Sequence, residues 1–344
     1  RCRESLNLCS RGTYSVEEEG LSWSDSLEGF LCPPLPGQVP VEPTETSTGR
    51  TVQGAVEASP VNKSSTESFE SLYNMEKLIG SGGFGRVFLG TRKFDGKRVA
   101  IKQIRKINND RYLNIPGNPE PLVTEVALLL LIKREPISPF VIQLHEWFEH
   151  PRSFTLVMEY PEPCQTLLDS MNRQPLSDCL LRVIMRQAVL AVQHCIRCGV
   201  FHSDIHTKNF LWKKDTLELK LIDFGCGQLV SSEGCESNTY KGMMGYRPPE
   251  VFTEPRFHAV PANVWSLGVL LYELSNECLP FVSKTEVTRA EVTFVNPGLS
   301  KHCRDLISQC LVRNPAKRPS LEQMLQHQWI DCDLDWRSLG DSFR

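Results

Sequence analysis

The sequence predicts an α+β fold in two lobes, a small strand-rich one and then a larger helical one, behind a disordered leader. Three observations predict it. Short apolar or alternating runs crowd the stretch 73–160, as strands do. Longer runs with helical spacing fill 161–330. Residues 1–70 contain no Ile and carry a net charge of −6, against +3 for the remainder. From Pro40 to Ser68 the leader is largely Pro, Glu, Ser, Thr, Gly and Val without periodicity. Such a stretch buries too little apolar surface to offset its ordering entropy.

Composition sets the outer bounds. At about 100–200 residues per domain, 344 residues make two domains or one bilobal unit. The chain is 40% hydrophobic and 23% charged, which supports a sizeable core. The longest uncharged apolar run, Val126 to Ile132, is far short of the ~20 residues of a membrane span. The net charge of −3 is too mild to point to nucleic acid or an anionic membrane as a partner. A monomer is expected. The chain does not begin with Met, which suits a fragment or a processed product, and its start shows no signal-peptide pattern.

The 13 cysteines are an odd set scattered from Cys2 to Cys332, unlike a short secreted disulfide scaffold. Cys195-x-x-Cys198, with His194 and His202 nearby, offers a zinc-knuckle reading. No second pair stands at zinc-site spacing, and the segment reads as the end of an apolar helix. Reduced thiols in a cytoplasmic or nuclear protein are the expectation.

The elements follow in order. Leu78-Ile79 and Val87-Phe88-Leu89 flank a glycine cluster, as two strands flank a turn. Arg98 to Ile104 alternates and reads as a third strand. Glu125 to Lys133 reads as a helix bracketed by Pro119, Pro121 and Pro136, and Phe154 to Met158 as a strand. After Pro161-Glu162-Pro163 the character changes. Ser177 caps a long helix through about Cys198, ended by Gly199. Leu180, Leu181, Ile184, Ala188, Ala191, Val192 and Cys195 recur on its apolar face. Further helices are expected over 262–274, 302–312 and 320–328. No internal repeat is present.

Gly80-Ser81-Gly82-Gly83-Phe84-Gly85-Arg86-Val87 fits G-x-G-x-x-G-x-V. Glycines let backbone N–H groups approach phosphates with no Cβ in the way. Alone the pattern is weak, and an ordinary Gly-rich hairpin produces it too. A dinucleotide fingerprint opens a helix after its glycines, whereas here another strand follows, as in a hairpin lid over phosphates. Val99-Ala100-Ile101-Lys102 then sets a single cation on a strand. Lys102 can hold α- and β-phosphates if an acid fixes it; Glu125 is the candidate partner, with Glu120 between two prolines as the alternative.

His202-Ser203-Asp204-Ile205-His206-Thr207-Lys208-Asn209 follows the long helix, and Asp223-Phe224-Gly225 follows the apolar run Leu219 to Ile222. Asp204 can face a substrate hydroxyl while Asn209 and Asp223 offer hard oxygens to Mg²⁺. Each tripeptide is weak, but the ordered set with Pro248-Pro249-Glu250 is very specific.

From about Tyr73 to Ile330 the sequence resembles a eukaryotic protein kinase, and among these the PIM family of serine/threonine kinases. Leu78 to Gly85, Glu159-Tyr160-Pro161-Glu162-Pro163, Leu219 to Gly225 and Val264-Trp265-Ser266-Leu267-Gly268 carry the resemblance. It implies a bilobal kinase fold. The leader is then 1–72, the N-lobe about 73–160, the C-lobe about 161–330, and a short tail 331–344. It implies ATP and Mg²⁺ as cofactors and Ser/Thr of proteins as substrates. It makes Asp204 the base, pairs Lys102 with Glu125, and gives Mg²⁺ to Asn209 and Asp223. Gly80, Ser81, Gly82, Gly83, Phe84 and Gly85 would cover the phosphates. Val87, Ala100, Met158, Leu211 and Ile222 would wall the adenine. Pro161 stands where kinases usually offer adenine an N–H, so the Glu159 carbonyl would hold it instead. Glu250 would pair with Arg318.

Four departures stand out. Ser203 replaces the Arg that reads an activation-segment phosphate. His206 replaces the Lys that neutralises the transferring phosphoryl group. Met243 replaces the Thr that bridges that Lys to the base. Lys208, Thr166, Cys278 and Val282 replace acids that the family uses for basic substrates, while Glu162, Asp169 and Glu273 remain. A lost transition-state cation costs about 10²–10³ in rate. Two readings therefore stand: a Ser/Thr protein kinase without a secured basic-motif preference, or a pseudokinase that binds nucleotide or scaffolds with little transfer.

Overall fold

The computed structural model describes residues 67–107 and 112–331. The leader up to residue 66 and the tail from 332 lie outside them. The first element is the short helix α1 (Phe69–Leu72), capped by Ser68, whose side chain accepts the Ser71 N–H. Packed structure thus begins four residues before the Tyr73 expected from the sequence. The reason is Phe69, which is buried and stacks on Tyr73 and Phe148 against one face of the sheet.

That sheet is the N-lobe. Strands β1 (Tyr73–Gly82), β2 (Gly85–Arg92) and β3 (Arg98–Arg105) form a meander. The two-residue strands β4 (Tyr112–Leu113) and β5 (Leu122–Val123) pair with each other. Strands β6 (Leu144–His150) and β7 (Ser153–Glu159) complete the sheet in the order β1-β2-β3-β7-β6, antiparallel throughout. Strand β6 has no counterpart in the sequence reading. Its His and Glu residues interrupt the apolar run, although Leu144, Trp147 and Phe148 are buried. Helix α2 (Thr124–Ile132) lies against the inner face. It is apolar all round and buried from Glu125 to Ile132, so it has no amphipathic signature.

The C-lobe is built round two helices. Helix α3 (Leu167–Arg173) leads to α4 (Asp178–Arg197), which begins at the Ser177 cap and stops at Gly199, φ +75°. Every residue assigned to the apolar face of α4 is buried. By length and composition α4 could cross a bilayer, but more than half of it is buried inside the lobe, the place of a core helix. After α5 (Glu250–Thr253), helix α6 (Ala259–Asn276) packs across α4. Helices α7 (Lys284–Arg289), α8 (Lys301–Cys310) and α9 (Leu321–Leu325) complete the lobe. Cys195, Cys303 and Cys310 are buried in this core as free thiols.

The lobes meet along a backbone seam. Leu221 donates to the Phe140 carbonyl (2.9 Å) and accepts from the Ile142 N–H (3.0 Å). Lys220 Nζ spans to the Pro139 carbonyl and to Glu159 Oε1, 2.8 and 2.9 Å away. Lower down, Arg318 Nη1 and Nη2 each meet a Glu250 oxygen at 2.7 Å, with both side chains buried. The fork-to-fork geometry anchors the segment before α5 to the base of the lobe.

Arg318→Met should cost about 3–5 kcal/mol, because it leaves the Glu250 carboxylate buried and unpaired; urea unfolding measures it. His145 gives a pH test. Burial, reinforced by Lys97, Arg92 and Lys133, holds its pKa down at about 4. An unfolded His binds protons near pH 6.5, so this stability is present above 6.5 and lost as pH falls toward 4. The thermal midpoint should fall over that window, and less steeply in His145→Gln.

Candidate active site

Lys102 sits mid-strand on β3, where the pleat turns it inward to α2. Its Nζ lies 2.6 and 2.9 Å from the two Glu125 oxygens and 2.8 Å from Asp223 Oδ1. Lys102 and Glu125 are 4% and 5% exposed. Burial pulls the lysine pKa down, but two carboxylates outweigh it and raise it to about 12. The ammonium is therefore charged at neutral pH. Of the two acids considered for Lys102, the structure selects Glu125; Glu120 is exposed.

Asp223 is positioned from behind by Phe224. That ring is fully buried and meets the His202 ring edge-on at 4.7 Å. With Phe224 tucked in, Asp223 adopts φ +64° and turns its carboxylate toward Lys102. Left-handed backbone at a non-glycine residue costs about 1–3 kcal/mol and persists only where packing enforces it. Ser203, at φ +69°, is the second such residue in this site. Lys102 pulls Asp223 below the usual carboxylate range against the upward push of burial.

Asp204 is held by three donors. Oδ1 accepts the Met243 N–H at 2.9 Å, and Oδ2 accepts from Asn209 Nδ2 at 3.1 Å and His206 Nε2 at 3.2 Å. Burial raises its pKa, yet His206 and the Met243 N–H prevail and hold it at about 2. Met243 offers no hydroxyl bridge, but its backbone N–H takes one oxygen of Asp204.

The tautomer of His206 follows from its neighbours. Nδ1 accepts the Lys208 N–H at 3.1 Å, which places the ring proton on Nε2, toward Asp204. His202 is set likewise: Nδ1 accepts the Asp204 N–H and Nε2 donates to the Ile222 carbonyl. Neither contact shows in one-dimensional spacing. A His two residues from the acid was the available signal for His206.

Above the base, β1 and β2 close the glycine turn. Gly82 and Gly83 face open space, so backbone is exposed there. Gly85, at φ +128°, passes so near the Gln103 carbonyl that a Cβ would collide with it. The Phe84 ring lies against Gly225, closing the lid onto the Asp223 turn. Behind the lid, Ala100 pairs with Met158, and both are buried. Val87 and Ile222 are half-buried against the same core, and Leu211 is half-buried on strand β8 (Phe210–Lys213). Glu159 turns its carboxylate to Lys220 and its N–H to the Gln143 carbonyl.

Two of the acids that the sequence left for a substrate are spent otherwise. Glu273 is 5% exposed, bonded by the Tyr246 hydroxyl, with Thr207 also against it. Asp169 closes a capping box with Thr166 on α3. Glu162 is exposed and lies 3.8 Å from Arg98 Nε. The expectation that Glu273 faces substrate is thus corrected: it braces the catalytic loop from beneath.

The donor set suits Mg²⁺. Asn209 spends its amide Nδ2 on Asp204, which leaves Oδ1 as an oxygen donor, and Asp223 uses only Oδ1 toward Lys102 and Gly225. Two oxygen side chains without a full protein cage are what an ion shared with phosphates and water requires.

A lysine fixed by a helix acid, an aspartate held in a hydrogen-bonded loop and two oxygen donors below a glycine lid are the kinds of groups phosphoryl transfer uses. The protein kinase domain profile matches residues 73–330, and the chain belongs to that family as a eukaryotic serine/threonine protein kinase domain. It is 39% identical over 274 residues to the zebrafish (Danio rerio) serine/threonine-protein kinase pim-2, covering 78% of this chain and 87% of that protein. It is 33% identical over 276 residues to Caenorhabditis elegans serine/threonine-protein kinase prk-2, covering 79% and 61%. With Arabidopsis thaliana CBL-interacting serine/threonine-protein kinase 16 it shares 32% over 285 residues, covering 78% and 58%.

Removing the imidazole should release Asp204. In wild type the carboxylate stabilises the fold above about pH 4, and this contribution fades only as pH falls toward 2. In His206→Ala the apparent pKa of Asp204 should rise, so the loss begins at higher pH. A carboxyl-carbon NMR titration of the two proteins measures it.

Proposed function

We propose that this chain is a PIM-like kinase that transfers the γ-phosphoryl group of ATP to Ser or Thr hydroxyls of proteins. The observation that carries the reading is the intact Lys102–Glu125–Asp223 triad beside a triply hydrogen-bonded Asp204. Phosphoryl transfer is mostly positioning and electrostatics, and these groups supply both. The likeness to pim-2 and the Pro161–Pro163 connection support the PIM-like part.

In this reading Lys102 holds the α- and β-phosphates, and its carboxylate partners fix it against the sheet. Gly80 to Gly85 lay backbone N–H groups over the phosphates. Val87, Ala100, Met158, Leu211 and Ile222 wall the adenine, and the Glu159 carbonyl accepts from it. Asn209 Oδ1 and Asp223 would hold Mg²⁺, which would neutralise phosphate charge. Asp204 is ionised at neutral pH and accepts the hydroxyl proton of the substrate. His206 orients that carboxylate but brings no fixed cation to the transferring group.

The second reading, a nucleotide-binding or scaffolding pseudokinase, rests on that missing cation. One radiolabelled ATP assay separates them. Wild type should phosphorylate itself or a generic protein, and Asp204→Asn should lower the rate by about 10²-fold or more. An unchanged rate in Asp204→Asn overturns the assignment. Tight Mg-ATP binding with no transfer, and a large gain in His206→Lys with Met243→Thr, would favour a crippled site.

A further inference from the structure

Two of the acids near the base are committed within the fold, Glu273 to Tyr246 and Asp169 to the α3 cap, and the exposed charge beside them is positive. Lys208 stands four residues from Asp204 in the turn Thr207–Asn209, which packs against α3 beside the Thr166–Asp169 cap. It is exposed, and its ammonium has no ion-pair partner within the described residues. Its backbone N–H is fixed on His206 Nδ1, which holds the Lys208 backbone against the ring that bonds Asp204. Glu273, which lies close enough to feel its charge, is buried beneath Tyr246. Across the site, exposed Lys241 precedes the Gly242–Met243 stretch that bonds the base. Asp169 caps α3, and the exposed Glu162 lies 3.8 Å from Arg98 Nε.

We propose that Lys208 makes the peptide groove select Ser/Thr acceptors flanked by acidic side chains and reject those flanked by basic ones. The proposal rests on the phosphotransfer reading for its chemistry but not for its binding. A carboxylate beside the acceptor meets an unpaired ammonium, whereas an arginine there meets two exposed lysines. Rejection is as much a part of this selectivity as attraction.

Three peptides test it, sharing one Ser acceptor and differing only in Glu, Ala or Arg at the flanking positions. With the full chain, the acidic peptide should bind more tightly than the basic one by about threefold or more in fluorescence anisotropy without turnover. In transfer assays the difference should sit in KM rather than kcat. It should shrink at about 0.5 M salt, where screening shortens to a few Å. Lys208→Glu should reverse the order and Lys208→Gln should level it. Lys208 is exposed and outside the core, so neither variant endangers the fold.

Equal binding of the three peptides, tighter binding of the basic one, or an order that Lys208→Glu leaves unchanged overturns the proposal. Acidic preference in binding with no transfer to any peptide would sink the phosphotransfer reading while leaving the groove's selectivity standing. Transfer with a basic preference would do the opposite.

Discussion

The buried ammonium of Lys102 is the constraint on which the rest of the structure depends. A cation out of water is costly unless paired. Here it is paired twice, with Glu125 from α2 and Asp223 from the C-lobe. The pairing fixes the rotation of α2 against the sheet and the conformation of the Asp223 turn. It does so across three elements far apart in sequence. The strained φ of Asp223, enforced by the buried Phe224, brings that second carboxylate to the lysine.

The catalytic loop shows a substitution of means. A lysine and a threonine hydroxyl are absent, yet Asp204 is not left loose. An imidazole proton, an amide of Asn209 and the Met243 N–H hold its two oxygens. Beside the loop lies a second apolar cluster. Tyr240 and Phe257 pack with Phe201, and Val251, Cys235 and Ala262 join them. The segment around Tyr240 is thereby held by apolar packing.

Motif chemistry was legible because each motif is local. The glycine turn, the strand with Lys102, the base segment and the Asp223 turn all stand where their residues predicted. Both long helices could be read from their spacing, to within about three residues at each end. Other features could not. In strand β6 His and Glu residues interrupt the apolar run, and α1 is held by Phe69 against distant rings. Glu273 read as a surface acid because nothing nearby in the chain reveals that Tyr246 covers it.

By itself, then, the sequence determined the two-lobed class, the order of the motifs and the groups able to act as cation, base and metal donors. Those depend on residue type, spacing and local backbone preference. The tertiary structure alone decided which acid neutralises Lys102, which nitrogen of His206 carries the proton and which charges near the base remain free. Each of these is a long-range pairing or a question of burial, and both arise only when separate segments of chain exclude water together.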